Sequence, residues 1–329
     1  MAAAETASGP IEVVPFARLT TGALSGVLQA QRTEWLATLG WDIAGIVEFV
    51  ETAIAGRSLR GSAVLVDGVV VGFGFFTVEI DRCLIGEVYV QPDARSADVH
   101  DALVEGIIRQ IRQTRPRKRV ESQSIVFDPR GFDEAFARHG FERHERTYMA
   151  KALDAVDEAT DHVDVDIRPW RDIDFSPALE VVYQSYRGTV DAQLNVQYRS
   201  REGCADLLDA LTDSMWCGRF DPTLARIAQD RATGRCCGVV IASAIGPETS
   251  HLGQISVLPS HQHRGVGRAM IAASLVAARA AGFERTTLAV TSANTAASKL
   301  YEVMGFAVCV PFPVYTRETA PFRVRPRST

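Results

Sequence analysis

The run Gln254-Ile-Ser-Val-Leu-Pro259-Ser-His-Gln262-His-Arg-Gly265-Val-Gly267-Arg-Ala-Met270 leaves a chain few folds to choose from. An apolar β-type segment meets a proline-led turn, and a glycine-punctuated start then opens a long alanine-rich helix. Gly265 and Gly267 carry no Cβ where the chain turns. Successive backbone N–H groups can therefore converge on an anion that also lies on the positive end of the helix dipole. The stretch reads as a cradle for a diphosphate. A Rossmann fingerprint would need a third glycine where Met270 stands, and a phosphate-binding NTPase loop would need Gly-Lys-Ser/Thr; neither is present.

A second pattern lies downstream, in Asn294-Thr-Ala-Ala-Ser298-Lys-Leu300-Tyr301-Glu-Val-Met-Gly305-Phe306. Gln262-x-x-Gly265-x-Gly267 behind a Val-x-Pro strand end, followed at this distance by Asn, Leu-Tyr and Gly-Phe, resembles the acetyl-CoA motif of the GNAT superfamily of N-acetyltransferases. The resemblance implies an acetyl-CoA cofactor held by Ser256, Val257, Gln262, His263, Arg264, Gly265, Val266, Gly267, Arg268, Asn294 and Ser298. It also implies that pantetheine runs beside a splayed Ile255–Val257 strand end, with the Val257 N–H directed at the acetyl oxygen. Tyr301 then matches the family tyrosine that protonates the leaving sulfur. Acyl transfer needs such groups, because an oxyanion develops during attack and a thiolate is a poor product in a desolvated cleft. Many family members also carry a glutamate base on the strand before the cradle. Here that strand reads His251-Leu-Gly-Gln254-Ile-Ser-Val, without a carboxylate, which leaves His251, a water on Gln254, or Asp191.

A chain of 329 residues exceeds one such unit and suits two domains. Hydrophobic content of 47% provides for two cores, and a formal net charge of −5 argues against nucleic acid and mildly for a cationic amine partner. No apolar run reaches the length of a membrane span, and the N-terminal residues lack a signal-peptide pattern, so a cytoplasmic protein with no membrane partner is expected. The six cysteines show no metal-ligand spacing, so no metal is expected. They read as reduced core thiols, with Cys236 and Cys237 on opposite faces of one strand.

From the N-terminus, helical patterns are expected over 21–39 and 42–55. A hairpin follows with Asp67-Gly68 as a type I′ turn between Ser62–Val66 and Val69–Phe76. Leu84–Val90 reads as a strand, and Val99, Leu103, Ile107 and Ile111 mark one face of a helix. The basic cluster Arg115–Arg119 reads as a solvated loop. Gly86-Glu-Val-Tyr-Val90-Gln-Pro92 aligns without gaps on Gly253-Gln-Ile-Ser-Val257-Leu-Pro259, 167 positions on. The same offset sets Arg95 on Gln262, Asp98 on Gly265 and His100 on Gly267. A carboxylate and an imidazole in the cradle positions would repel or block a diphosphate. The second motif decays likewise: Phe136 stands for Tyr301 and Pro129 for Asn294.

The acidic run Ala155–His162 is the expected boundary between a degenerate domain over 1–154, lacking a cofactor site, and a catalytic domain over 160–329. The expected fold class is α/β (α+β): two tandem GNAT-like domains, each a mixed, mostly antiparallel central sheet flanked by helices. After a strand at Val163–Pro169, helices are expected over 176–186 and 202–211, and a hairpin over 224–243. The loop between those helices forms much of the acceptor pocket in the family, so Tyr186, Asp191, Asn195 and Tyr198, with Gln254, are the substrate candidates. The arrangement resembles that of mycothiol synthase, but nothing in the residues selects that substrate over another small-molecule or peptide amine. A CoA-responsive binding module without turnover is a second reading, and a relative of the aminoacyl-tRNA-dependent transferases a third. Monomer and homodimer are both compatible with the sequence.

Overall fold

The structure, a computed structural model, describes residues 9–115, 117–154, 163–213 and 216–319. The expected boundary at 155–162 lies outside the described residues. The first elements are β1 (Ile11–Pro15), α1 (Ser25–Leu39), α2 (Ala44–Ala55), β2 (Arg60–Val66), β3 (Val69–Val78), β4 (Arg82–Val90), α3 (Ala97–Arg112), β5 (Arg119–Ser122), α4 (Pro129–Arg138) and β6 (Glu142–Ala152). Next come β7 (Val165–Pro169), α5 (Phe175–Tyr186), α6 (Asp191–Leu194), α7 (Arg201–Thr212), β8 (Arg219–Phe220), β9 (Arg226–Asp230) and β10 (Cys236–Ala244). The chain continues through β11 (Thr249–Val257), α8 (Val266–Ala280), β12 (Arg285–Thr291), α9 (Thr295–Val303) and β13 (Ala307–Glu318).

Two compact units result, and they do not follow the two halves of the sequence. Unit 1 takes the chain up to Thr33, Val47–His144 and the segment from Phe312; unit 2 takes Glu34–Ile46 and Glu145–Pro311. Relative to a division at 154/160, residues 34–46 and 145–154 belong with the second unit and the segment from Phe312 with the first. Backbone pairing accounts for two of these assignments. Arg146–Ala152 of β6 pairs antiparallel with β12, and Tyr315–Glu318 of β13 pairs antiparallel with β5.

Unit 1 holds strands in the order β1-β2-β3-β4-β5 and then the second part of β13. Among its described strands, only β4–β5 is parallel. The β2–β3 turn has positive φ at both Asp67 (51°) and Gly68 (77°), the type I′ geometry that the Asp-Gly pair favours. Val99, Leu103, Ile107 and Ile111 of α3 form one buried stripe against Ile85, Val88 and Val90 of β4. Arg119 departs from the expected solvated loop. It opens β5 almost fully buried, with Nε 2.5 Å from Oε1 of Glu121, whose other oxygen takes Nη1 of Arg82. The buried guanidinium is tolerated because a carboxylate faces it.

Unit 2 repeats the plan with β6-β12-β11-β10-β9-β7 and β8 on β10. Its parallel pair is β11–β12. Cys236 and Cys237 do face opposite layers, the first packing with α5 and α7 residues and the second with those of α8. Cys309 is exposed rather than a core thiol, because Ala307–Cys309 opens β13 with its side chains uncovered.

The alignment of the halves holds in backbone detail. Gly86 is an extra residue on β4 between the pairs Phe75↔Glu87 and Phe76↔Ile85; Gly253, 167 positions on, is an extra residue on β11 between Ile241↔Gln254 and Ala242↔Leu252. Both parallel ladders stop just before that bulge, at Ile85↔Ser122 and at Leu252↔Leu288. Arg95 Nε donates to Val90 O at 3.0 Å, and Gln262 Nε2 donates to Val257 O at 3.0 Å, one hydrogen bond made by two residue types.

The two helix starts after these strands differ. α3 begins at Ala97, with Ser96 as an N-cap whose side chain accepts from Val99 N, and Asp98 sits in its first turn. His100 is fully buried, with Nδ1 2.6 Å from Ser96 O and its ring edge-on to Phe132 at 4.5 Å. Burial lowers its pKa and keeps it neutral. In unit 1, side chains thus fill the position that Gly267 leaves bare.

Residues 160–329 alone would lack the β6 strand and bare the edge of β12. That fragment should be insoluble or lack a cooperative thermal transition, whereas the full chain should unfold cooperatively; a soluble, cooperatively melting fragment would show that unit 2 does not need the exchanged strand.

Candidate functional site

The cradle turn is built as the glycines require. Gly265 has φ +80° and is the N-cap of α8, and His263 has φ +59°; both lie in the left-handed region. No side chain caps α8, so its first N–H groups face outward at the positive end of a helix of 15 residues. Gln262, His263 and Arg264 are exposed, and Arg264 Nη2 is 3.9 Å from Asp164 Oδ2. Arg268 is also exposed, one turn into the helix, while the Val266 side chain is buried in the core.

Beside the cradle the sheet opens. β11 and β12 pair only as far as Leu252↔Leu288, yet β11 runs on to Val257 and β12 to Thr291. Leu258 N donates to Cys237 O of β10 at 2.8 Å, so by the two-residue alternation of a strand the Val257 N–H points away from β10, into the gap. Ile255 O faces the same way, with Tyr186 Oη at 3.5 Å.

On the α5/α7 face, Tyr186 and Tyr198 stack at 3.8 Å with 7° between the rings. Tyr198 Oη donates to Gln254 Oε1 at 3.0 Å, and Gln254 Nε2 donates to Ser256 Oγ at 2.8 Å. Burial raises the pKa of both phenols, so they remain hydrogen-bond donors. Asn195 caps the following turn, its Oδ1 accepting from Gln197 N at 3.0 Å.

Across the gap lies α9. Asn294 is its N-cap: Oδ1 accepts from Ala297 N at 3.2 Å, and Nδ2 donates to Asp191 Oδ2 at 3.0 Å. Ser298 Oγ donates to Asn294 O at 3.1 Å, a bond within the helix. Tyr301, seven residues after Asn294 and hence on the same face, is buried at 8% exposure. Burial raises its pKa, and the nearby Tyr186 and the negative charge of Asp191 add to the effect. The helix ends at Gly305, φ +86°, and Phe306 N returns to Tyr301 O at 3.0 Å, which sets the Phe306 ring 6.0 Å from that of Tyr301. The Leu-Tyr…Gly-Phe pattern thus has a local cause: a left-handed helix stop with an aromatic clasp.

His251 lies on the α5/α7 face but is enclosed. Its Nδ1 is 2.9 Å from Thr287 Oγ1, its ring stacks on Tyr148 at 5.9 Å, and Trp41 lies 5.1 Å away. Burial, with Arg146 adding to it, pushes its pKa down to about 3, so the ring is neutral and a weak proton acceptor.

The structure brings most sequence candidates together: the cradle from Gln262 to Arg268, the strand end from Gln254 to Val257, Tyr186, Tyr198, Asp191, Asn294 and Tyr301. Asn195 and Ser298 are committed to local turns. Sequence reasoning missed Arg146, Tyr148 and Trp41, which reach unit 2 from the first half of the chain. Their own segments carry no signal of that placement. Among the described residues, no group of three or more His, Cys, Asp and Glu could hold a metal, and no helix is long and apolar enough to cross a membrane.

Residues 194–306 match the family model described as Acetyltransferase (GNAT) family. Among solved structures, a GCN5-related N-acetyltransferase from Sphaerobacter thermophilus is similar at 18% identity and TM-score 0.65, over 94% of this chain and 97% of that one. A tandem GNAT protein from the clavulanic acid biosynthesis pathway is similar at 16% identity and TM-score 0.61, over 95% and 99%. At these identities the likeness is one of fold. No curated protein matches the sequence.

Replacing Asn294 separates its two jobs. Asn294→Ala should cost about 1 kcal/mol of stability through the lost cap. Asn294→Asp keeps the cap but sets a carboxylate against Asp191, so its deficit should be larger at pH 7 than at pH 4 and relieved by Asp191→Asn. Thermal unfolding of the variants checks this; an Asn294→Asp chain with no pH-dependent deficit would contradict it.

Proposed function

From the membership of residues 194–306 in the GNAT superfamily of acyltransferases, we propose that this chain is an acetyl-CoA-dependent N-acetyltransferase. The acceptor is a primary amine on a small molecule or peptide, attacking directly in a ternary complex. The observation that carries the reading is the conjunction of an uncapped helix start at Gly265 with the strand gap at Val257 and the buried Tyr301 on its far side. Gly267 supports a CoA diphosphate at this start. A Cβ there would lie 3.7 Å from Val257 and 3.8 Å from Leu300, ordinary contacts, so packing within the chain does not demand glycine. Close approach of a ligand to the bare backbone does.

Acetyl-CoA supplies an activated acyl thioester when bound. The protein's share is then positional and electrostatic. Backbone N–H groups at 264–267 hold the diphosphate, with His263, Arg264 and Arg268 around its rim. The Val257 N–H, fixed by the pairing of β11 with β10, is a preorganised donor for the charge that develops on the acyl oxygen. Tyr301 stays protonated in its buried site and can pass the Oη proton to the departing sulfur. The Tyr186–Tyr198 pair and Gln254 form the wall against which the acceptor amine rests, and Asp191, held by Asn294, is near enough to Tyr301 to act on it electrostatically. His251, neutral and enclosed, is the weakest of the base candidates.

Thiol release from acetyl-CoA, followed across a panel of primary amines, tests the reading. Turnover with at least one amine is expected; binding of acetyl-CoA with no turnover on any of them would favour a non-catalytic binding module. Tyr301→Phe should lower kcat by about a hundredfold with acetyl-CoA affinity within about twofold of the native value, since the hydroxyl acts on charge that appears in the transition state. An unchanged kcat under rate-limiting chemistry would return Tyr301 to the role of a core aromatic.

A further inference from the structure

The cradle turn has few anchors of its own. Gln262, His263 and Arg264 are exposed, and His263 and Gly265 hold left-handed backbone. What fixes the turn must therefore act from its flanks. One flank is α8. On the other, Gln262 is tied to the strand end by its bond to Val257 O.

A third tie comes from the β9–β10 turn. His261 Nε2 lies 2.9 Å from Asp230 Oδ2, with the two side chains only 16% and 20% exposed. Asp230 is itself held in place: Oδ1 accepts from Thr233 N at 2.7 Å and Thr233 Oγ1 at 2.8 Å, while Gly234 N donates to Asp230 O at 2.8 Å. The hydrogen bond to His261, with those from Thr233, pulls the Asp230 carboxyl down to about 2, so it is an anion and accepts only. In a neutral imidazole the proton must then sit on Nε2, and Nδ1 accepts from Ser260 Oγ at 2.9 Å. His261 N closes the same turn by donating to Leu258 O at 2.8 Å. His261 thus braces this turn through its backbone N–H and both ring nitrogens. Asp164 and Arg264, which line the same recess, complete its charged surroundings.

We propose that His261 is a positioning residue for the cofactor: latched to Asp230, it holds the 258–262 turn so that the N–H groups at 264–267 converge on the diphosphate. The inference rests on the reading of that cradle as an acetyl-CoA site. The β9–β10 turn thereby becomes part of the cofactor machinery without touching the ligand.

The test is calorimetric titration of the full-length chain with acetyl-CoA, alongside initial rates. His261→Ala should weaken acetyl-CoA about tenfold, the scale of one lost charge-assisted hydrogen bond. The loss should fall on KM for acetyl-CoA while kcat at saturation changes far less. His261→Gln, which keeps a donor for Asp230, should recover most of the affinity. Asp230→Ala should mimic His261→Ala, and the double variant should be no weaker than either single one. Equal affinity in His261→Ala and native chains, or fully additive effects of the two replacements, would overturn the latch while leaving the cradle intact. If His261→Ala does not fold, the pair His261→Gln and Asp230→Ala carries the same comparison: affinity kept in the first and reduced in the second is expected, and affinity kept in both overturns it. A native chain that binds no acetyl-CoA would instead sink the cradle reading, and this inference with it.

Discussion

One extra residue in one strand sets up the site. Gly253 bulges from β11 against β10, and from that point β11 and β12 no longer pair. A bulged strand bends and twists locally, so the two strands diverge and leave backbone groups at Ile255 and Val257 facing a gap instead of a ladder. Such groups demand partners. On one side of the gap stands Tyr186, whose hydroxyl approaches Ile255 O; at its mouth lies the uncapped start of α8, and α9 with Tyr301 lines the other wall. An acyl thioester with a diphosphate tail, the donor proposed for this site, would place an oxygen at the Val257 N–H and an anion at the start of α8.

Unit 1 carries the same bulge at Gly86 and the same end to its parallel ladder, but its helix start is closed by Ser96, Asp98 and His100. Glu87, which stands where unit 2 has Gln254, is fully enclosed, and burial raises its pKa to about 8. The backbone plan of unit 2 recurs there, with side chains at the helix start that unit 2 leaves bare. The retained role is partly covalent in origin: the chain that builds unit 1 also delivers residues 34–46 and the β6 strand to unit 2, and takes a strand back from beyond Phe312. That exchange makes the chain of each unit part of the other's structure.

How much of this was legible in the sequence follows from how local each cause is. The Asp67-Gly68 turn, the α3 stripe, the left-handed glycine at the start of α8 and the Gly305 helix stop are set by residues within a few positions of one another, and each lies where the local pattern puts it. The repeat was legible because backbone geometry, bulge included, follows glycine and proline placement. The burial of Arg119 has no local signature: its carboxylate partner Glu121 is only two residues on, but the strands that enclose it, β4 and β13, reach β5 by long-range pairing. The enclosure of His251 by Trp41 and Tyr148, and the His261–Asp230 latch, join residues far apart in the chain, and no local pattern announces them. Asn294 was legible as a cap, but its bond to Asp191 required the fold.

The central claim is that one chain carries one cradle, in unit 2, because Gly265 is bare where unit 1 has Asp98. Calorimetric titration of the full-length protein with acetyl-CoA tests it most directly, run beside Gly265→Asp, which copies the first-half residue into the cradle. At φ +80° an aspartate is among the better tolerated side chains, so the variant should keep its fold, as near-ultraviolet circular dichroism would report. The account predicts a stoichiometry of one for the native chain and no measurable binding by the folded variant. Two equivalent sites, or tight binding by a folded Gly265→Asp chain, would contradict it.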